Sequence, residues 1–171
     1  MTAHTTSLSF EDYVTKHGND LQRYAFVLSG QRADAEDLVQ IALVKAYHRW
    51  RRIGTLAAPH AYVRRILTHC FVDLRRHHNA VRSTDELVDI ADPAADPADQ
   101  LADLEGIVRG LDHVTAQQRA VLVLRYLLDL SDDDIATELG CSTATVRSHA
   151  SRGLHQLRTL LHYPDLEISH E

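Results

Sequence analysis

The chain has 171 residues, 44% of them hydrophobic and 25% charged, and a formal net charge of −6. That composition suits one or two small globular domains and excludes a disordered or low-complexity chain. Two cysteines, Cys70 and Cys141, make no disulfide framework and no CxxC pair, and each lies on or beside an apolar helical stripe, so buried free thiols in a reducing cytoplasm are expected. The first residues, MTAHTTSLSFEDY, lack the basic-then-apolar pattern of a signal peptide, and no apolar run approaches the roughly 20 residues needed to cross a bilayer. A soluble, cytoplasmic protein without membrane insertion is the expectation.

Glycine and proline are scarce, at seven and four, and most segments repeat apolar residues every three to four positions, so the chain reads as all-α. Ser9 to Leu28 reads as a first helix, with Gly18 a potential break and Phe10, Tyr13, Val14, Leu21, Tyr24, Ala25 and Leu28 on its buried side. After a turn at SGQR, Ala33 to Trp50 reads as a second helix, acids in its first turn and bases at its end as the helix dipole favours. Leu38, Ile41, Ala42, Ala46 and the stem of Lys45 are placed inward; Asp34, Glu36, Asp37 and Gln40 form an acidic leading edge. Dipole chemistry alone accounts for such an edge.

Ile53 to Pro59 reads as a short loop, followed by a helix from His60 to His78 with Val63, Ile66, Leu67, Cys70 and Leu74 as its buried stripe. Its other side carries Arg65, Thr68, Val72 and Arg76, with Tyr62 and His69 beside them. Arginine and aromatic side chains among threonine and histidine suit stacking on unpaired bases and gripping a phosphate backbone. His69, Asp73 and His77 are spaced i, i+4, i+8, but they span about 12 Å of one helix, too far to share one metal ion. No cofactor is expected.

Val81 to Gln100 is acidic and twice broken by Asp-Pro, and reads as an extended linker, either a passive tether or a strand that mimics nucleic acid in a basic channel of a partner. Leu101, Leu104, Ile107, Val108 and Leu111 then read as one helix, and Thr115 with Gln118 offers a capping box for the next. In Ser131 to Arg158 two helices are joined by a tight turn: Ser131 and Asp134 start the first, Gly140 ends it, and Ser142 starts the second. Val146, Ala150, Leu154, Leu157 and Leu161 recur as a buried stripe, and no acid occurs between Ala144 and Arg158. A glycine-bearing turn before a cationic, small-residue helix face suits a major groove; an ordinary helical hairpin has the same spacing. The tail beyond Leu161 reads as frayed.

The charge is segregated. From Ser83 to Ile107 there are eight acids and no Lys or Arg, whereas from Lys45 to Arg82 nine Lys or Arg stand against Asp73 alone. Separate surfaces with separate partners follow, and the net negative charge ceases to argue against nucleic acid. A helical hydrolase would need a nucleophile–base pair, a phosphate-cradling glycine loop or a metal spacing, and the sequence offers none.

Read together, these segments resemble the extracytoplasmic-function sigma factors, the smallest two-domain promoter-specificity subunits of bacterial RNA polymerase. The resemblance runs from about Phe10 to Leu160. DAEDLVQIALVKAYHRW resembles region 2.2, AYVRRILTHCFVDLRRHH resembles regions 2.3 and 2.4, and QQRAVLVLRYLLDLSDDDIATELGCSTATVRSHASRGLHQLR resembles region 4; RWRRI and AYVRRIL look closest to the SigE-like branch. It implies region 2 over residues 8–80, a flexible acidic linker over 81–100, region 4 over 101–162 and a tail over 163–171.

The resemblance also implies roles. Asp34, Glu36, Asp37 and Gln40 would dock on core polymerase, and the loop 53–59 would hold a base flipped out of the −10 element. Tyr62, Arg65, Thr68, His69, Arg75 and Arg76 would bind the separated −10 strand. Thr143, Thr145, Arg147, Ser148, His149 and Arg152 would read the −35 element, with Arg147 and Arg152 as candidates for a bidentate guanine contact or a phosphate contact. The implied partners are core polymerase, promoter DNA and an anti-sigma factor, with no catalytic residues. A stand-alone helix-turn-helix regulator is the alternative, and it leaves the basic helix and the acidic edge unexplained. The chain departs from the family's pattern at Ile41, where an acid is usual, at His69, where Asn is common, and at His149, where Arg, Lys or Gln is common.

Overall fold

Side-chain caps and left-handed glycines set several of the helix ends. The computed structural model describes residues 8–82 and 106–161, which belong to two compact units, Met1–Glu86 and Leu87–Glu171. Among the described residues every regular element is helical.

In the first unit, α1 (Phe10–Ser29) begins where Ser9 Oγ accepts the Asp12 N–H at 3.1 Å and ends at Gly30, whose φ of 85° closes the helix. Gly18 does not break it. Helix α2 (Arg32–Tyr47) stops short of the expected Trp50; the chain turns at His48 and Arg49 and resumes as the single turn α3 (Trp50–Ile53). Helix α4 (Pro59–Arg82) starts on a proline, whose missing N–H costs nothing in a first turn. Helices α1, α2 and α4 pack against one another. Tyr13, Leu21, Leu28, Leu38, Ala42, Val63, Leu67 and Phe71 form their core.

Several inward placements are corrected. Ile41 and Leu74, expected inside, are 38% and 39% exposed, whereas Ala35, Val39 and Phe71 take the inner positions. Lys45, whose stem was expected inside, is exposed, although its ammonium donates to the Sγ of the buried Cys70 at 3.3 Å. Cys70 is buried as expected; Cys141 is only half-buried. Trp50 packs between Phe10 and Tyr13, with ring centroids 5.2 and 4.8 Å away, and its indole N–H donates to the Leu8 carbonyl at 2.8 Å. Gly54 completes this corner: a Cβ there would lie 3.0 Å from that same carbonyl.

In the second unit, residues 106–111 form α5, with Val108 and Leu111 buried and Ile107 turned out at 57% exposure. Helix α6 (Ala116–Leu122) carries the expected capping box: the Thr115 N–H donates to Gln118 Oε1 at 2.9 Å, and the Gln118 N–H to Thr115 Oγ1 at 3.2 Å. It runs directly into a π-helical turn (Val123–Leu127), closed by a bond from the Leu128 N–H to the Val123 carbonyl at 3.2 Å. Asp129 follows in the left-handed region at φ 51°. Helix α7 (Asp132–Leu139) and helix α8 (Thr143–Leu161) come next, and Ala120, Val121, Leu124, Ile135, Val146 and Ala150 make the core of the unit.

Of the expected α8 stripe Val146 and Ala150 are buried, whereas Leu154 and Leu157 are half-buried; Gly153 is buried beside them, close enough that a Cβ would meet Leu122 Cδ1 at 2.8 Å. Arg119 is almost completely buried and bonds Asp112 at 2.6 Å. Val81 and Arg82, assigned from sequence to the linker, are the last residues of α4. The remaining linker, Leu101 and Leu104, and the tail fall in residues 83–105 and 162–171, outside the described residues.

Candidate nucleic-acid and protein interfaces

Two surfaces of the first unit stand out. On α2, Asp34, Glu36, Asp37 and Gln40 are all exposed. The same side continues into an apolar row, Ile41, Val44 at 57% and Tyr47 at 60% exposure. Residues 37, 40, 41, 44 and 47 follow helical spacing, so acidic and apolar groups form one continuous ridge. The apolar half was missed from sequence because Ile41 was assigned inward; the signal available was Val44 and Tyr47, which fit no inward stripe.

On α4, Tyr62, Arg65, His69, Val72 and Arg76 lie at alternating three- and four-residue steps, a single stripe about 21 Å long. Arg65 and Arg76 are exposed, and the other three are half-buried, as expected of groups whose faces rest on the helix while their edges meet solvent. The remaining two of the six sequence candidates serve the fold. Thr68 is fully buried: its hydroxyl donates to the Arg64 carbonyl at 2.9 Å and receives the Tyr24 hydroxyl at 2.8 Å. That corrects its placement on the outer side. Arg75 donates to the Ser29 carbonyl at 3.2 Å, at the C-terminal end of α1 where a cation complements the helix dipole, and its guanidinium lies 5.8 Å from the Phe71 ring centroid.

Where α4 begins, beside the loop 54–58, a histidine pair couples α1 to α4. His17 and His60 stack with centroids 4.4 Å apart and an interplanar angle of 20°, and the Tyr13 hydroxyl lies 3.1 Å from His60 Nδ1. Burial first, then the charges of His17 and Arg64, lower the His60 pKa, against the opposite pull of Asp20. Burial also raises the pKa of the Tyr13 hydroxyl, which stays protonated.

In the second unit, α7 and α8 form a helix-turn-helix. Ser131 Oγ accepts the Asp134 N–H at 3.1 Å and donates to its carboxylate at 2.7 Å. Gly140, at φ 67°, turns the chain while the Cys141 N–H closes onto the Ala136 carbonyl at 3.0 Å. Ser142 Oγ then accepts the Thr145 N–H at 3.1 Å and opens α8. All six sequence candidates lie on the first turns of α8: Arg147 and Arg152 are exposed, and Thr143, Thr145, Ser148 and His149 are half-buried. Burial, and then the nearby Arg152 charge, lower the His149 pKa, so it is neutral at pH 7 and acts as a hydrogen-bonding group rather than a cation.

Sequence reading missed the polar group behind this helix. Asp132 binds Arg125 through Oδ1, and its Oδ2 accepts from Arg147 Nε at 3.3 Å. These residues, with Tyr126, Ser151 and Arg158, line a cleft of about 370 Å³. Burial lowers the Arg125 pKa, but the hydrogen bonds and charges of Asp132 and then Tyr126 together outweigh it, so the guanidinium stays charged beside the carboxylate.

Comparison with known proteins matches both units. Sigma-70 region 2 matches residues 13–81, and sigma-70 region 4 matches residues 104–157. The two matches, in this order, define a sigma-70-type protein. The RNA polymerase sigma-E factor of Streptomyces avermitilis is 34% identical over 166 residues, 96% of this chain and 92% of the relative. The ECF RNA polymerase sigma factor SigL of Mycobacterium tuberculosis is 33% identical over 150 residues, 85% of each chain. Among solved structures, the sigma factor RpoE of Bartonella quintana, in complex with the anti-sigma factor NepR, matches with a TM-score of 0.71 at 28% identity, covering 91% of this chain and 98% of that one. The chain belongs to the extracytoplasmic-function group of RNA polymerase sigma factors.

Proposed function

We propose that the chain binds core RNA polymerase, directs it to one class of promoters and helps open the −10 region there. The observation that carries this reading is the ordered pair of units: a Tyr–Arg–His–Arg stripe on α4 in the first, its arginines exposed and its rings half-buried, and a capped helix-turn-helix in the second. The α2 ridge is the polymerase-docking surface, with Asp34, Glu36, Asp37 and Gln40 as its polar part. Ile41, Val44 and Tyr47 extend it, so the apolar residue at 41 lengthens a greasy contact where the family resemblance leads one to expect an acid. Exposed aromatic and aliphatic groups flanked by charge are the usual anchors of such an interface.

Tyr62, Arg65, His69 and Arg76 bind the separated −10 strand, the rings by stacking and the arginines by phosphate or base-edge contacts. Thr143, Thr145, Arg147, Ser148, His149 and Arg152 read the −35 duplex. The protein works in the cytoplasm and catalyses no reaction of its own. An anti-sigma factor, present beside the similar Bartonella protein, is a fitting regulatory partner.

The test is run-off transcription with core polymerase. Wild-type protein is expected to co-purify with core and support promoter-specific initiation. Failure of both, with tight operator binding in the absence of polymerase, would identify a stand-alone regulator instead. Asp37→Ala with Gln40→Ala is expected to weaken core binding about tenfold or more while leaving the circular dichroism spectrum unchanged. Unchanged transcription from this double variant would remove α2 from the interface.

A further inference from the structure

Asp132 occupies an unusual place for a carboxylate, next to a helix assigned to DNA. The start of α7 does not require it there. Ser131 already caps the helix, and Asp133 and Asp134 supply negative charge in the same turn. Asp132 instead leans across to α8, one oxygen on Arg125 in the π turn and the other on Arg147 Nε. The carboxylate and Arg125 are each mostly covered, at 23% and 20% side-chain exposure, whereas Arg147 is 70% exposed. The anchored end of this relay is therefore partly covered by the unit and the other end is in solvent.

Arginine has five N–H donors in a planar fork. A carboxylate that takes the Nε–H leaves the two terminal nitrogens unengaged, and that terminal pair is the edge that bonds guanine O6 and N7 together. An arginine free to swing would spend much of its time on the nearest phosphate. A carboxylate at its base also cancels charge, which lowers affinity for any phosphate backbone while leaving base recognition intact.

We infer that Asp132 is a positioning residue for upstream promoter recognition: held between Arg125 and Arg147, it orients the Arg147 fork toward a base edge and suppresses indiscriminate phosphate binding. This rests on the assignment of α8 to the −35 element. It makes a prediction that a purely structural role does not, namely that removing the carboxylate flattens sequence preference while strengthening non-specific binding.

The experiment uses the full chain reconstituted with core polymerase on templates randomised across the −35 element upstream of a fixed −10 region, read by sequencing the transcripts. Wild-type protein must show a −35 preference; if it shows none, the underlying assignment of α8 fails and not this inference alone. Asp132→Asn is expected to reduce preference at one or two adjacent positions about tenfold, as loss of one good bidentate contact would. Binding of a non-cognate duplex by the same variant is expected to tighten and to fall more steeply with salt. In an Arg147→Ala background, Asp132→Asn should change the preference no further. Asp132→Glu, which keeps the carboxylate, should retain the wild-type rank order of bases.

A wild-type profile from Asp132→Asn overturns the inference. So does a uniform loss on every template, an additive effect in the Arg147→Ala background, or an Asp132→Glu variant as flat as Asp132→Asn.

Discussion

Gly54 shows how little room one corner of the first unit has. A methyl group there would press on the Leu8 carbonyl at 3.0 Å and on the Trp50 carbonyl at 3.2 Å, both backbone atoms, and the first already accepts the Trp50 indole N–H. Gly54→Ala is expected to destabilise the first unit by about 1–3 kcal/mol, read as an earlier urea midpoint. His60 gives a pH dependence of definite sign. Its folded pKa lies below the ordinary histidine value of about 6.5, so the unfolded chain takes up a proton first as pH falls. Stability is unaffected by this group above that value and declines as pH drops below it. Replacing His60 with Gln should make the urea midpoint less sensitive to acid between about pH 7 and pH 5 than in the wild type. His149, lowered for the same primary reason, stays neutral further into acid than an ordinary histidine and adds its positive charge to α8 only below the usual histidine range.

At the scale of elements, the cap residues are where local chemistry and tertiary structure agree. Ser131→Ala removes the acceptor of the Asp134 N–H and should cost the second unit about 1 kcal/mol in circular dichroism melts. Ser131, Gly140, Ser142 and the Thr115–Gln118 pair were all legible in the sequence, because each bond lies within a few residues of its partner. Facing was less legible. A helical wheel defines a stripe, yet α4 packs on both α1 and α2, so its buried arc is wider than one stripe and takes in Thr68 and Phe71. Thr68 tolerates this because both its hydrogen-bonding roles are met inside. The exposed Ile41 misled for the opposite reason: apolar character was read as inwardness on a helix whose outer side is itself apolar. The π turn at Val123–Leu127 has no composition cue, and the Arg125–Asp132–Arg147 relay that depends on it could not be seen from spacing.

For the whole molecule, charge does the sorting. A net charge of −6 opposes approach to DNA, while the bases are gathered between Lys45 and Arg82 and α8 adds Arg147, Arg152 and Arg158. Free protein is therefore expected to bind a promoter duplex weakly, and core polymerase to raise the affinity by orders of magnitude; fluorescence anisotropy with and without core measures this directly. The acidic stretch that separates the two sets of bases was plain from sequence, as was the pairing of a basic helical unit with a helix-turn-helix. Which members of each basic set remain free was not, since Arg75 is committed to the end of α1 and Arg147 is held by Asp132.

The chain contains a single tryptophan, and Trp50 is buried in the first unit among Phe10, Tyr13 and the Leu8 carbonyl. Indole emission is thus an optical reporter of that unit alone, present without labelling. Because Trp50 also borders Gly54 and the loop after it, its colour and intensity will sense whatever enters that loop. A short unpaired −10 oligonucleotide titrated against the isolated protein can therefore be followed by light from the residue that anchors the loop, while the second unit stays dark.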